Sequence, residues 1–360
     1  MPLVAHNKLP TFERLRHEGH VVLTPERARE QDIRALHIGL LNMMPDAAMG
    51  ATERQFYRLI GSSNPISQFY LYPFTLPEIP RSADAKAYVN EHYTSFEALQ
   101  ESGLDALIIT GANVTEPDLS REVYWEPLVK VFDWAVEHVT STLCSCLSTH
   151  AVMQHRYATQ REQLEKKAWG VFQHQVVDNS HPLVHDINTR LAVPHSRFNH
   201  VSRERFEAAG LHVLIEGDAG VQMAVSPDGI NHVFFQGHPE YDQISLLKEY
   251  KREVGLYMEG RSTGYPPFPA NYFDAFTRAV FNEYQQRIQT YLDSGRTTDR
   301  PVFPEKQVVP HLDNTWHDSG EAVVGNWLGC VYQLTHTDRR TPYMDGINRD
   351  NPLGWSKLDN

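Results

Sequence analysis

Apolar residues in the first half of the chain fall into short, nearly continuous runs separated by stretches with a different rhythm. Residues 35–44 (ALHIGLLNMM), 67–74 (SQFYLYPF) and 104–112 (LDALIITGA) are such runs. Their brevity and continuity predict strands covered on both faces, as in a parallel sheet. Between them, apolar positions recur at helical spacing. Phe56, Leu59 and Ile60 mark a helix over 50–61 with Gly61 as its stop, residues 94–103 form another, and Val123, Leu128, Val131, Phe132 and Ala135 mark a third over 122–139. A β-rich segment, TSTLCSC (140–146), then runs straight into LSTHAVMQHRY. Strands alternating with helices predict an α/β domain built on a mostly parallel sheet. Sites in such sheets lie beyond the carboxyl ends of the strands, where Cys146, Gly111 and the loop NMMPD are expected.

The second half is less regular. Strands are predicted over 169–178, 211–217, 221–226 and 231–237, as an antiparallel or mixed extension of the sheet. Helices are predicted over 245–258, 274–292 and 319–335, with a Pro/Gly break at 262–273 and a loop at 294–310. The expected organisation is an N-terminal segment (1–34), a single α/β domain (35–335) with an insertion at about 275–313, and a polar, loosely held C-terminal tail (336–360). No internal repeat is visible.

Charge narrows the function. The chain carries 45 acidic against 33 basic residues, a formal net charge of −12. That disfavours nucleic acid and anionic membranes as partners, while leaving room for a small anion held by a few local cations. No apolar run approaches the roughly 18 residues of a membrane span, and the charged N-terminus does not read as a signal peptide. There are 3 cysteines. Two of them, Cys144 and Cys146, are too close in sequence for an unstrained disulfide, which fits a reducing, cytoplasmic setting.

Cys146 stands where a strand is expected to hand over to a helix. A helix N-terminus stabilises a thiolate, and the N–H of the next residue, Leu147, is left over by the first turn and can bind an oxyanion. A nucleophilic thiol needs a base, and the base an orienter. FFQGHPEYD (234–242) offers both: His238 and Glu240 are spaced i, i+2, so in extended backbone they point the same way. A free cysteine is nevertheless more often core than catalytic. Cys144 and Cys330 are read as core, and Cys-x-Cys lacks the spacing of a zinc site, so no metal is expected.

Several segments together resemble the homoserine O-acyltransferases of methionine biosynthesis, often named homoserine O-succinyltransferases. They are LPTFERLRHEG, RAREQDIRALHIGLLNMMP, ALIITGA with VYWEPL, STLCSC, KAWGVFQH, VPHSRFNH, GHPEYD with KEYKRE, and VVGNWLGCVYQLT, in family order over about 9–335. The resemblance implies a flavodoxin-like fold of the class I glutamine amidotransferase type. It implies an acyl-thioester on Cys146, with His238 as base and Glu240 as its support. It puts substrate-binding roles on Lys167, Ser196 and Arg252. The implied substrates are L-homoserine and an acyl-CoA as co-substrate, with no separate cofactor, and a homodimer is compatible with it. For the acyl-CoA phosphates, Lys166, Arg161 and Arg197 are the cations considered.

The chain departs from the family after the cysteine, where Leu147-Ser148-Thr149 stands in place of Trp-Gly-Ala. In the loop after ITGA, the position linked to the acyl donor is Thr115; Glu there accompanies acetyl-CoA and Gly succinyl-CoA. Thr115 is uncharged and can donate a hydrogen bond to a second carboxylate, so succinyl-CoA is expected, with acetyl-CoA as the alternative. Two other classes remain open: a glutaminase of the same fold, and a non-catalytic relative that only binds a ligand.

Overall fold

In the computed structural model the described residues are 3–295 and 299–356. The ends of the expected N-terminal segment (1–2) and tail (357–360), and residues 296–298 of the expected loop, lie outside them. The strands are β1 (Leu3–Val4), β2 (Val22–Leu23), β3 (Ala35–Leu41), β4 (Gln68–Phe74), β5 (Ala106–Ile109), β6 (Ser141–Ser145), β7 (Glu162–Val176), β8 (Arg190–His200), β9 (His212–Gly217), β10 (Gly220–Val225) and β11 (His232–Phe235). They form one sheet in the order β2-β1-β4-β3-β5-β6-β11-β10-β9-β7-β8. The run β4-β3-β5-β6-β11 is parallel throughout. That is the flavodoxin-like order of a doubly wound α/β fold. β10, β9, β7 and β8 continue it antiparallel.

The apolar runs read from the sequence are these central strands, and the reason is burial on both faces. One face packs under helices Asp46–Ser63 and His317–Leu334, the other under Trp125–His138 and Leu147–Tyr157. A third cluster joins helix Ser245–Met258 to helix Ala275–Asp293 through Tyr250, Val254, Phe281, Tyr284 and Ile288. The stretch read as an insertion therefore packs on the element that carries Arg252. No helix among the described residues is long and apolar enough to cross a membrane.

Four features differ from the sequence reading. The helix expected to stop at Gly61 runs on to Ser63, because Gly61 is buried in packed surroundings that outweigh its low propensity. Helix Ala83–His92, capped by the Ser82 side chain, was not anticipated. Neither was β8, because Pro194 in its middle reads as a breaker; as the edge strand of the sheet, β8 tolerates it. The tail, expected to be loosely held, lies against the body. Tyr343 is buried with its hydroxyl donating to Thr140 O at 3.1 Å, and Trp355 Nε1 donates to Ser180 Oγ at 3.2 Å.

Candidate active site

Cys146 sits at the turn between β6 and helix Leu147–Tyr157, with φ 56° and ψ −107°. A residue other than glycine adopts such a conformation only at a cost of order 1–3 kcal/mol, so the surroundings must hold it. They do so with hydrogen bonds. Cys146 N–H donates to Phe235 O at 2.7 Å. The Ser148 hydroxyl donates to Ile109 O at 2.8 Å, and the Thr149 hydroxyl to Cys144 O and Phe235 O at 2.9 Å each. The Leu147-Ser148-Thr149 departure thus ties the turn to β5 and β11. Leu147 N–H belongs to the first helical turn, which leaves it without an acceptor of the usual kind.

The three cysteines have different surroundings. Cys144 is fully buried, and burial drives its thiol far above the usual range. Cys330 is partly buried against the core, its thiol pushed up to about 11. Cys146 is half-buried and lies within electrostatic reach of His238.

His238 and Glu240 do not lie on extended backbone. They sit in a turn beyond β11, closed by Tyr241 N–H donating to His238 O at 3.1 Å. The turn brings Glu240 Oε1 to 2.8 Å from His238 Nδ1, both side chains being buried. Burial disfavours the imidazolium, but the Glu240 carboxylate and the Cys146 sulfur outweigh it and hold His238 well above its ordinary pKa. His238 and Glu240 are therefore hydrogen-bonded, with Cys146 within electrostatic reach of the imidazole.

A second cluster adjoins this line and centres on Glu249, which sequence reasoning did not single out. The Ser196 hydroxyl donates to Glu249 Oε2 at 2.6 Å and Trp169 Nε1 donates to the same oxygen at 2.9 Å. The Tyr241 hydroxyl donates to Oε1 at 2.9 Å. Lys167 Nζ is 3.7 Å from Oε2 and 4.4 Å from the Trp169 ring centroid. Burial lowers the pKa of Lys167 and Glu249 opposes it. A register shift between Gln163 and Ala168 in the β7–β8 ladder is what aims Lys167 here. Tyr241 joins the two clusters, because its ring stacks on His238 with centroids 4.4 Å apart. Both missed residues lie inside motifs already quoted. Glu249 is three before Arg252 on one helix face, and Tyr241 follows Glu240.

Arg252 lines the same cleft as Lys167, Trp169 and Phe198. It is more exposed than Lys167, its side chain 62% accessible, and pairs with Glu253 at 2.8 Å. Thr115 hydrogen-bonds to Glu122 rather than to either cluster. Its N–H donates to Glu122 Oε1 at 2.6 Å and its hydroxyl to Oε2 at 3.2 Å. The hydroxyl is thus engaged by Glu122, contrary to the expectation of a donor left for a substrate carboxylate. The loop's beginning does approach the cysteine: a Cβ built on Gly111 would stand 3.8 Å from Cys146 Cβ. Of the three cations considered for phosphates, Arg197 is buried and so does not present itself at a site mouth. Among the described residues, no group of three or more His, Cys, Asp and Glu side chains is arranged to hold a metal.

Known proteins bear on this geometry. The sequence profile of the homoserine O-succinyltransferase family matches residues 2–337. The homoserine O-succinyltransferase of Allochromatium vinosum is 60% identical over 355 residues, covering 98% of this chain and 99% of its own. Those of Thiobacillus denitrificans and Nitrosococcus oceani are 60% and 59% identical with the same coverage. Among solved structures, a glutamine amidotransferase of Thermotoga maritima superposes with a TM-score of 0.44 at 9% identity, over 83% of this chain and 98% of that one. With a family match that spans nearly every described residue and relatives this close, the chain belongs to the homoserine O-succinyltransferase family.

Proposed function

We propose that this chain transfers a succinyl group from succinyl-CoA to the γ-hydroxyl of L-homoserine in two steps, through a thioester on Cys146. The observation that carries the reading is the His238–Glu240 pair beside Cys146 at a strand-to-helix turn, in a chain 60% identical to a named homoserine O-succinyltransferase. In the first step the Cys146 thiolate attacks the acyl carbon of the donor. The bond to the CoA sulfur breaks, and that sulfur takes the proton from His238. Leu147 N–H supports the oxyanion. In the second step His238 removes the proton from the homoserine hydroxyl, whose oxygen attacks the Cys146 thioester and expels the thiolate. Glu240 keeps Nδ1 protonated and the ring in place.

Homoserine is a zwitterion, and the second cluster suits it. Lys167 and Arg252 serve its carboxylate. Glu249 Oε1 has a lone pair beyond the one used by Tyr241, and its charge serves the ammonium. One observation favours a second donor, acetyl-CoA: Glu122 places a carboxylate where Thr115 was expected to remove one. Against it, that carboxylate is occupied by two backbone N–H groups and a hydroxyl.

The test is purified protein given succinyl-CoA or acetyl-CoA with homoserine, reading free CoA, alongside intact-mass measurement without homoserine. The expected result is faster homoserine-dependent CoA release from succinyl-CoA and a succinyl adduct on Cys146. An adduct on another residue, faster use of acetyl-CoA, or ammonia release from glutamine without acyl transfer would each overturn the corresponding part.

A further inference from the structure

The turn that carries His238 and Glu240 borders a second recess, which the reaction as written leaves unused. Pro239, Glu240, Tyr241 and Asp242 form one wall of a cavity of about 450 Å³. Helices Pro10–His17 and Asp46–Ser63 supply Arg14, Arg54 and Arg58 to it, and helix Ser245–Met258 supplies Lys248. It shares no lining residue with the cleft of Lys167 and Arg252.

The charged groups facing this cavity are those four cations, the carboxylates of Glu18, Glu240 and Asp242, and the imidazoles of His20 and His317. The carboxylates are already engaged. Glu18 accepts from Arg58 Nη2 at 2.6 Å and from Arg14 Nε at 3.2 Å. Asp242 accepts from Arg58 Nη1, and Glu240 Oε1 is held by His238. His317 pairs with Glu321 at 3.0 Å. Arg54 is left with little. Its side chain is only 9% accessible, its Nη2 stands 3.9 Å from Asp242 Oδ2, and its Nη1 donates to Gly50 O at 3.3 Å. Its Nε is buried with no acceptor among the described residues.

A buried guanidinium with one long ion pair and a bare Nε–H forgoes most of the compensation that burial demands. Arg14 and Arg58 repel it, and the carboxylates that offset this, Glu18 and Asp242, are shared with those same arginines. Helix Ser245–Met258 begins on the same wall. Ile244 is its cap residue and no side chain caps it, so the positive end of the helix dipole adds to the field there. Three arginines, a lysine and a helix end suit an anion with several oxygens and more than one charge. Phosphate and diphosphate groups offer that to guanidinium forks, whereas a single carboxylate engages one fork and leaves the others. The volume lies within the roughly 300–1,000 Å³ of small-molecule sites.

We propose that this cavity binds a phosphate-bearing anion, with Arg54 and Arg58 as its inner cations and Arg14 and Lys248 at its rim. The site is separate from the acceptor cleft, yet it adjoins the triad: Arg58 also holds Asp242, two residues after Glu240. Two sources share this chemistry, the diphosphate of the acyl-CoA donor and a free phosphate compound.

The test is calorimetric titration of the full chain with inorganic pyrophosphate at constant ionic strength. It involves no acyl transfer, so its outcome is independent of the Cys146 reading. Saturable binding is expected, weakened by about tenfold or more in Arg54→Gln. Arg54→Lys should lose less, and Arg252→Gln, in the other cleft, should leave the affinity unchanged. Absence of saturable binding, an unchanged affinity in a folded Arg54→Gln protein, or an equal loss in Arg252→Gln overturns the proposal. If Arg54→Gln does not fold, the double variant Arg14→Gln/Lys248→Gln decides, since both side chains are exposed. It should bind pyrophosphate severalfold more weakly, and an unchanged affinity overturns the proposal. Repeating the titration with saturating CoA assigns the source, and either result keeps the site. Abolished pyrophosphate binding gives the cavity to the donor's diphosphate, and unchanged binding gives it to a free phosphate compound.

Discussion

Replacing Glu249 with Gln removes one negative charge and keeps the shape of the side chain. The carboxylate accepts from Ser196 at 2.6 Å and from Trp169 and Tyr241 at 2.9 Å each, with Lys167 3.7 Å away. A glutamine can reproduce most of this. Its carbonyl takes the place of Oε2 and accepts from Ser196 and Trp169. Its amide takes the place of Oε1 and donates to the Tyr241 oxygen once that hydroxyl rotates. Stability should therefore change by about 1 kcal/mol or less, since the weakened Lys167 pair is long and partly solvated. What is lost is the charge offered to the homoserine ammonium. A hydrogen bond to a charged group contributes about 1.5–3 kcal/mol, which is about 10- to 150-fold in kcat/KM for homoserine.

Two measurements separate this from general damage. Steady-state rates with homoserine varied should show the loss. Single-turnover acylation by succinyl-CoA should stay within about twofold, because homoserine takes no part in it. Glu249→Ala is the contrasting variant: it strands three donors and leaves Lys167 without its carboxylate, so melting temperature should fall along with activity. The pKa of Lys167, already lowered by burial, should fall further in that variant. A Glu249→Gln protein with unchanged homoserine dependence, or with slow acylation, would refute the assignment of Glu249 to the acceptor.

Cys146→Ala should abolish acyl-enzyme formation, whereas Cys144→Ala should keep most activity at a cost of about 1 kcal/mol for the small cavity it leaves; activity and chemical denaturation check both. Arg252→Ala should raise the homoserine KM by about tenfold or less, since its side chain is exposed and already shared with Glu253, and steady-state kinetics with unchanged acylation check it. His238 has a pKa raised by Glu240 and Cys146 over the opposing effect of burial. Its contribution to stability is therefore complete below the unfolded value of about 6.5 and is lost as pH rises through the folded value. Melting temperature measured from neutral to alkaline pH should fall in the wild type and fall less in His238→Asn.

Much of the parallel sheet was legible because burial on both faces leaves apolar runs with little polar interruption, as in β3 and β5. β8 was not, since an edge strand tolerates Pro194 and mixes Arg190, His195, Arg197 and His200 with apolar residues. The place of Cys146 between a strand and a helix was legible from the sequence. The pairing of His238 with Glu240 was also anticipated, although the backbone between them is a turn rather than a strand. Glu249 was not legible. In sequence it is one acidic residue on an exposed-looking helix face, and only the fold sets it against Trp169 of β7 and Ser196 of β8. Thr115 shows the same limit in reverse: a hydroxyl that reads as free is already bound to Glu122, seven residues on.

The chemistry asks two things of one sulfur, and a lowered thiol pKa serves both. In the first step Cys146 must attack; in the second it must leave. Lowering a thiol's pKa raises its thiolate fraction by a full tenfold per unit while ambient pH lies below that pKa. Its intrinsic nucleophilicity falls by only about 0.4–0.5 of a log unit over the same change. Attack therefore gains on balance until the pKa reaches the working pH. Departure gains as well, because a less basic thiolate leaves faster.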